Sequence, residues 1–212
     1  MGKRKVISFD VEGTLVTPDF SLAVWHEGIP SLYAKRNGIS FQEAKVRVET
    51  EYQEIGDMRM EWYDIKYWFQ RFQLGDYRQL LESYKHKVSY YPETMPVLAL
   101  LAKVYILIAV TSSAKEFLPY LLFEINGYFT KVFPSISDYN QLKTPYFYLR
   151  VCQEMNILPE EMVHIGDNRE FDFTIPRQIG INALHLDRKG KAGPSYEGSL
   201  TNLREVAQKL SQ

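Results

Sequence analysis

The 212-residue chain is 45% hydrophobic and 24% charged, with a formal net charge of −1. That composition suits a globular protein of one large domain, or a core domain with a smaller insert. It offers no basic face, so neither nucleic acid nor an anionic membrane is expected as a partner. The single cysteine, Cys152, excludes an intrachain disulfide framework and reads as a small core residue on a helix.

The basic start, Met1 to Lys5, is followed by too few apolar residues for a secretory signal. Val6 to Phe9 is a short β-branched and aromatic run, the pattern of a strand buried on both faces. It leads directly into Asp10-Val11-Glu12-Gly13-Thr14. From Thr17 to Tyr91 no convincing strand run occurs, and apolar residues recur at helical spacing: Phe41, Ala44, Val48 and Tyr52, then Ile65, Trp68, Phe69 and Phe72. Turn signals at Asn37-Gly38, Ile55-Gly56-Asp57 and Leu74-Gly75-Asp76 divide this stretch, which reads as an all-helical insert. All three tryptophans fall in it, and aromatics at helical spacing are expected to form its core.

A helix over Thr94 to Lys103 is expected next, then a strand over Val104 to Val110 running into Thr111-Ser112-Ser113. The apolar stretch Val97 to Val110 is interrupted by Lys103 and is too short to span a membrane, so a cytoplasmic protein is expected. Lys143 stands in a later turn, before a helix over Pro145 to Met155. Met162 to Ile165 reads as a strand that runs into Gly166-Asp167-Asn168-Arg169-Glu170-Phe171-Asp172. A fourth strand is expected over Ile181 to Leu186, then a loop from Lys189 to Gly198 and a closing helix from Thr201 to Leu210.

Strands alternating with helices predict an α/β fold: a doubly wound, Rossmann-like parallel sheet with an all-helical domain inserted after the first strand. The expected division is a core of residues 1–16 and 92–212 and a helical cap of 17–91. In such sheets function collects at the carboxyl ends of the strands, which places Asp10, Thr111 and Asp167 on one rim. Neighbouring carboxylates repel unless a cation lies between them, and hard oxygen donors suit Mg²⁺.

Asp10-Val11-Glu12-Gly13-Thr14, Thr111, Lys143 and Asp167 with Asp172 occur in the order of the four motifs of the haloacid dehalogenase superfamily, which the chain resembles over residues 5–16 and 92–188. The insert stands where that family carries a small helical cap. The resemblance implies a hydrolase, foremost a Mg²⁺-dependent phosphatase of a small phosphorylated metabolite. Asp10 would be the nucleophile and Glu12 the general acid and base. Thr111, Ser112 and Lys143 would bind the phosphoryl group. Asp10, Glu12 through its carbonyl, and Asp167 would hold Mg²⁺, with Asp172 a ligand through water or the orienter of Lys143. The chain departs from the family pattern in three places. Glu12 stands where Asp is usual, Ser112 where Asn commonly follows the hydroxyl, and Pro145 one residue later than in the frequent Lys-Pro.

Two alternatives accompany this reading. One is a 2-haloacid dehalogenase, with the same aspartate and no metal. The other is a weakly active regulatory or binding protein on the same fold, which the departure at Glu12 suggests. A monomer or homodimer is expected. Arg36, Arg47 and Arg59 are candidate contacts to an anionic substrate, with a solvated role favoured for each. Trp25, Trp62, Trp68 and Tyr63 are candidate pocket residues. His26, His86, His164 and His185 show no metal-ligand spacing.

Overall fold

The computed structural model describes residues 6–190 and 199–210. Its six strands are β1 (Val6–Phe9), β2 (Ile106–Thr111), β3 (Lys131–Pro134), β4 (Met162–Gly166), β5 (Asn182–Leu186) and β6 (Ser199–Leu200). They form one sheet in the order β3-β2-β1-β4-β5-β6, with every neighbouring pair parallel. The order reverses at β1, between β2 and β4, and such a switch point opens a crevice at the carboxyl ends. The register aligns Phe9 with Ala109 on one side and Ile165 on the other, so the residues that follow β1 and β4 emerge side by side.

Alternation along the strands sends side chains to two separate cores. Ile7, Phe9, Leu107, Ala109, Val163 and Ile165 pack with the helices Thr94–Leu101 and Arg204–Leu210. Val6, Ile108, Val110 and Met162 pack with the helix Pro145–Met155 through Phe147, Tyr148, Val151 and Cys152. Both faces of the sheet are therefore covered, as central strands buried along their whole length require.

Between β1 and β2 the described chain is helical, in segments that include Ile29–Asn37, Phe41–Ile55, Ile65–Arg71 and Tyr77–Tyr84. Ser40, Asp64 and Asp76 cap three of these by accepting from the backbone N–H of Glu43, Lys66 and Arg78, which satisfies donors a helix start leaves orphaned. Trp68 is fully buried, with the Tyr52 ring centroid 4.6 Å away and Phe72 stacked at 5.4 Å. The two stems of the insert meet at an antiparallel bridge between Val16 and Tyr90. Thr17 N–H donates to the Ser89 carbonyl and Tyr91 N–H to the Leu15 carbonyl. No described helix is long and apolar enough to cross a membrane.

Several boundaries differ from expectation. β2 begins at Ile106 rather than Val104, because Val104 and Tyr105 donate backward to the Leu101 carbonyl and close the preceding helix, which itself ends at Leu101 rather than Lys103. The short edge strands β3 and β6 lack the apolar runs that would mark them. The closing helix starts at Arg204, where Asn202 accepts from the Arg204 N–H. The expected loop from Lys189 to Gly198 lies, from position 191 onward, outside the described residues.

Arg188, just past β5, fastens the first loop to the core. It donates to the Gly13 carbonyl at 3.1 Å, the Thr14 carbonyl at 2.6 Å and Glu93 Oε1 at 2.7 Å. Its guanidinium lies 3.4 Å from the Tyr91 ring centroid. Glu93 is only 4% exposed, so removing its partner leaves a buried charge uncompensated. Arg188→Ala is expected to cost about 3 kcal/mol in urea unfolding, and Glu93→Gln added to it should recover part of that loss. A double variant less stable than the single one would contradict this account.

Candidate active site

Asp10 follows β1, and its N–H donates to the Ile165 carbonyl at 2.8 Å, which fixes the loop against β4. Lys143, 2% exposed, donates to Asp10 Oδ1 at 2.5 Å and to Asp172 Oδ1 at 2.7 Å. Thr144 accepts from the Phe147 N–H and caps the helix that Pro145 opens, so Lys143 stands just outside a rigid helix start. The later proline therefore leaves room for a capping residue between it and the lysine.

The two carboxylates on Lys143 differ in kind. Burial alone would raise Asp172, but Lys143 and His164 outweigh it and hold that carboxyl well below the ordinary range. Asp172 also accepts the Asn168 N–H at 3.1 Å, so it is saturated with donors. Burial raises Asp10 well above its ordinary value, with Asp172 and Asp167 adding to the rise against the pull of Lys143. Lys143 is raised in turn because its two carboxylates overcome its own burial. Asp172 thus shares Lys143 with Asp10 through an ionised carboxylate.

Asp167, which follows β4, completes a cluster: one oxygen each from Asp10, Asp167 and Asp172 lie within 4.8 Å of one another. The surrounding protein, and then the Asp172 charge, push Asp167 up to about 6, although its side chain reaches the surface. Two glycines permit this crowding. Gly13 has φ +76°, and a Cβ there would lie 2.2 Å from Asp167 Oδ2. A Cβ on Gly166 would lie 2.3 Å from the Asp172 carboxyl carbon. The cluster offers hard oxygen donors in a single recess, a set that fits a divalent cation such as Mg²⁺. Asp172 gives both oxygens to Lys143, His164 and the Asn168 N–H, whereas Asp10 holds Lys143 through Oδ1 only, so the other Asp10 oxygen and Asp167 are the donors left to a cation.

The Glu12 carboxylate stands apart from this cluster. It accepts from Ser113 Oγ at 2.6 Å, and Ser113 in turn is tied to Thr111 Oγ1 through both its hydroxyl and its N–H. Burial raises Glu12, while Ser113 and Ser21 pull it back. The extra methylene of Glu12 thus reaches across to the end of β2. Thr111 and Ser112 both face the same cavity, as the sequence led one to expect.

Sequence reasoning singled out neither Ser113 as the partner of Glu12 nor His164. His164 lies behind Asp172 in a closed network: Ser8 Oγ is 2.8 Å from Nδ1, and Nε2 is 3.1 Å from Asp172 Oδ1 and 3.0 Å from the Tyr148 hydroxyl. Burial lowers its pKa, so the ring is neutral. A carboxylate only accepts, which places the proton on Nε2 and leaves Nδ1 to accept from Ser8. No spacing rule finds such a residue, since a lone histidine inside an apolar strand reads as core.

The carboxylates, the hydroxyls that end β2 and Lys143 open on one cavity of about 440 Å³, with His164 behind it. Asp10, Glu12, Thr111, Ser112, Lys143, Asp167 and Asp172 line its floor. Trp25, Trp62 and Tyr63 of the helical insert line its walls, whereas Trp68 belongs to the insert's own core. Arg36, Arg47 and Arg59 pair instead with Gln73, Glu43 and Glu61 away from it.

A carboxylate–lysine–carboxylate array at the switch point of a parallel α/β sheet defines a hydrolase site of the aspartate type. Residues 4–180 match the family described as haloacid dehalogenase-like hydrolase, and the chain belongs to that family. Among solved structures, a HAD phosphatase from Thermococcus onnurineus is 28% identical, with a TM-score of 0.87 and 97% of each chain covered. A 2-haloacid dehalogenase from Pseudomonas syringae pv. tomato is 19% identical at a TM-score of 0.68, with 98% of each chain covered. The Bacillus subtilis HAD-hydrolase YfnB, solved bound to magnesium, is 17% identical at 0.70, with 100% of each chain covered. No curated protein matches the sequence at a significant level.

Gly13→Ala is expected to cost about 2 kcal/mol, because an L side chain is strained at positive φ and its Cβ meets Asp167. In an Asp167→Ala background the same substitution should cost less, since only the backbone strain remains. Equal losses in a double-mutant cycle measured by urea unfolding would show that the contact does not matter.

Proposed function

We propose that this hydrolase is a Mg²⁺-dependent phosphatase of a small, soluble phosphorylated metabolite, acting in the cytoplasm as a monomer or homodimer. The observation that carries this reading is the pairing of Asp10 with Asp167. Both carboxyls are pushed up in pKa and both face one recess, an arrangement that a divalent cation relieves. A dehalogenase working on carbon gains nothing from that repulsion. The Thermococcus phosphatase, similar over the whole chain, supports the same choice.

When bound, Mg²⁺ would supply positive charge to the phosphoryl oxygens and keep Asp10 ionised. Asp10 then attacks phosphorus, the bond from phosphorus to the leaving oxygen breaks, and the product alcohol departs from an aspartyl-phosphate. Glu12, whose burial favours the protonated form, donates its proton to that oxygen. As a carboxylate it next takes a proton from water, which attacks phosphorus and releases Asp10. Such acid and base help is worth about 10²–10⁴-fold in rate. Lys143 holds charge on Asp10 and the phosphoryl group together, and Thr111 and Ser112 receive phosphoryl oxygens. Residues 17–91 act as a cap that shields the reaction from water. Its contribution to the cavity wall and its paired stems at Val16 and Tyr90 support that role.

Asp10→Asn should abolish phosphatase turnover and leave the fold intact by circular dichroism. Wild-type protein should hydrolyse p-nitrophenyl phosphate only with Mg²⁺ and release no chloride from chloroacetate. Metal-independent halide release would make the protein a dehalogenase instead.

The metal should also show itself in stability. Asp167 stays protonated in the folded protein up to about pH 6, well above the ordinary range of an unfolded aspartate. The stability this protonation lends is lost as pH rises through 6, and that is where a cation restores it. Mg²⁺ should therefore raise Tm more at pH 7.5 than at pH 5. An increment that is flat or larger at pH 5 counts against Asp167 as a ligand.

A further inference from the structure

We infer that the leaving group of the substrate is uncharged and carries an apolar, ring-sized face, so that the preferred substrates are phosphate monoesters of aromatic or arylalkyl alcohols. This rests on the phosphatase reading for the reacting group, and on the cavity wall for everything else.

The floor of the cavity is polar, but its wall is not. Leu22, Trp25, Trp62, Tyr63, Phe117 and Phe171 surround the space above Asp10 and Glu12. Trp25 stacks on Phe117 at 5.6 Å with 18° between the rings, which fixes a flat surface. The Tyr63 hydroxyl donates to the Asp57 carbonyl at 3.1 Å, which holds the ring in the wall. The space of about 440 Å³ is large enough for a phosphoryl group with one ring attached.

Charge narrows the choice further. Four carboxylates line the cavity against one ammonium, Lys143, and two of those carboxylates already hold that lysine. Once a divalent cation and the phosphoryl dianion are in place, no described lining cation remains for a second anionic group. The nearby basic residues of the insert are committed elsewhere: Arg59 to Glu61, Arg47 to Glu43 and Lys66 to Glu116. A carboxylate or second phosphate directed at the aromatic wall would stand there unpaired, which burial penalises heavily. The same argument weighs against a 2-haloacid, whose carboxylate would meet that wall.

The test separates binding from turnover. Phenylphosphonate, phosphonoacetate and methylphosphonate, none of which can be hydrolysed, are titrated into the Mg²⁺-loaded protein by calorimetry. Phenylphosphonate should bind at least about tenfold more tightly than phosphonoacetate, a ratio typical of one well-filled apolar subsite. Trp62→Ala should weaken phenylphosphonate about tenfold and leave methylphosphonate unchanged. Phosphonoacetate binding as tightly as phenylphosphonate, or Trp62→Ala affecting all three alike, overturns the inference. In parallel, kcat/KM is compared for 2-phenylethyl phosphate and 3-phosphoglycerate, with the aromatic ester expected to lead. If phenylphosphonate binds selectively but neither ester is turned over, the aromatic subsite stands and the phosphatase reading falls.

Discussion

An ammonium group almost wholly removed from water organises this protein. Lys143 is 2% exposed and touches two carboxylates, one after β1 and one after β4. A buried charge of this kind persists only when its partners are held in place, because losing one leaves several kcal/mol uncompensated. The rest of the site can be traced as the means of holding them. The Asp10 N–H is pinned to β4, Asp172 is saturated by Lys143, His164 and Asn168, and two glycines remove the side chains that would keep the carboxylates apart.

That arrangement divides labour between two carboxylates of identical chemistry. Asp172 collects donors from the protein and stays ionised, while Asp10, with one oxygen on Lys143, is pushed up by burial and by its neighbouring carboxylates. Environment sets the difference, as it does wherever paired acids are driven apart in pKa. Glu12 joins a separate chain through Ser113 to Thr111, so its carboxylate is held to the end of β2 rather than to Lys143. Its longer side chain meets a hydroxyl just past the end of a different strand.

The parts of this structure legible in the sequence are those where a single local signal carried the information. Val6 to Phe9, Ile106 to Val110 and Met162 to Ile165 are apolar runs that end in polar residues, and a parallel sheet brings such ends together by topology alone. The helix Pro145–Met155 agreed to the residue because Thr-Pro at its start and Asn156 at its end are both local signals. β3 and β6 were illegible because edge strands of four and two residues need little apolar patterning. Ser113, His164 and Arg188 depend on partners that lie 101, 156 and 175 positions away in the chain, and no window on the sequence holds both members. The wall of the cavity was half legible. Aromatics at helical spacing were expected as core, and Trp68 is core, but the same periodicity describes Trp62 and Trp25, which face the opening.

The bridge between Val16 and Tyr90 has a consequence for how the molecule is assembled. Because the helical stretch begins and ends at paired backbone positions, its length is decoupled from the distance between Asp10 and Thr111. Loop-closure entropy grows only slowly with length, so this stretch is free to be shortened, extended or exchanged while the floor of the site keeps its register. The scaffold in effect has a socket: the acidic floor of the cavity is cast into the sheet, and part of its aromatic wall plugs in from a neighbouring pair of strand-like stems.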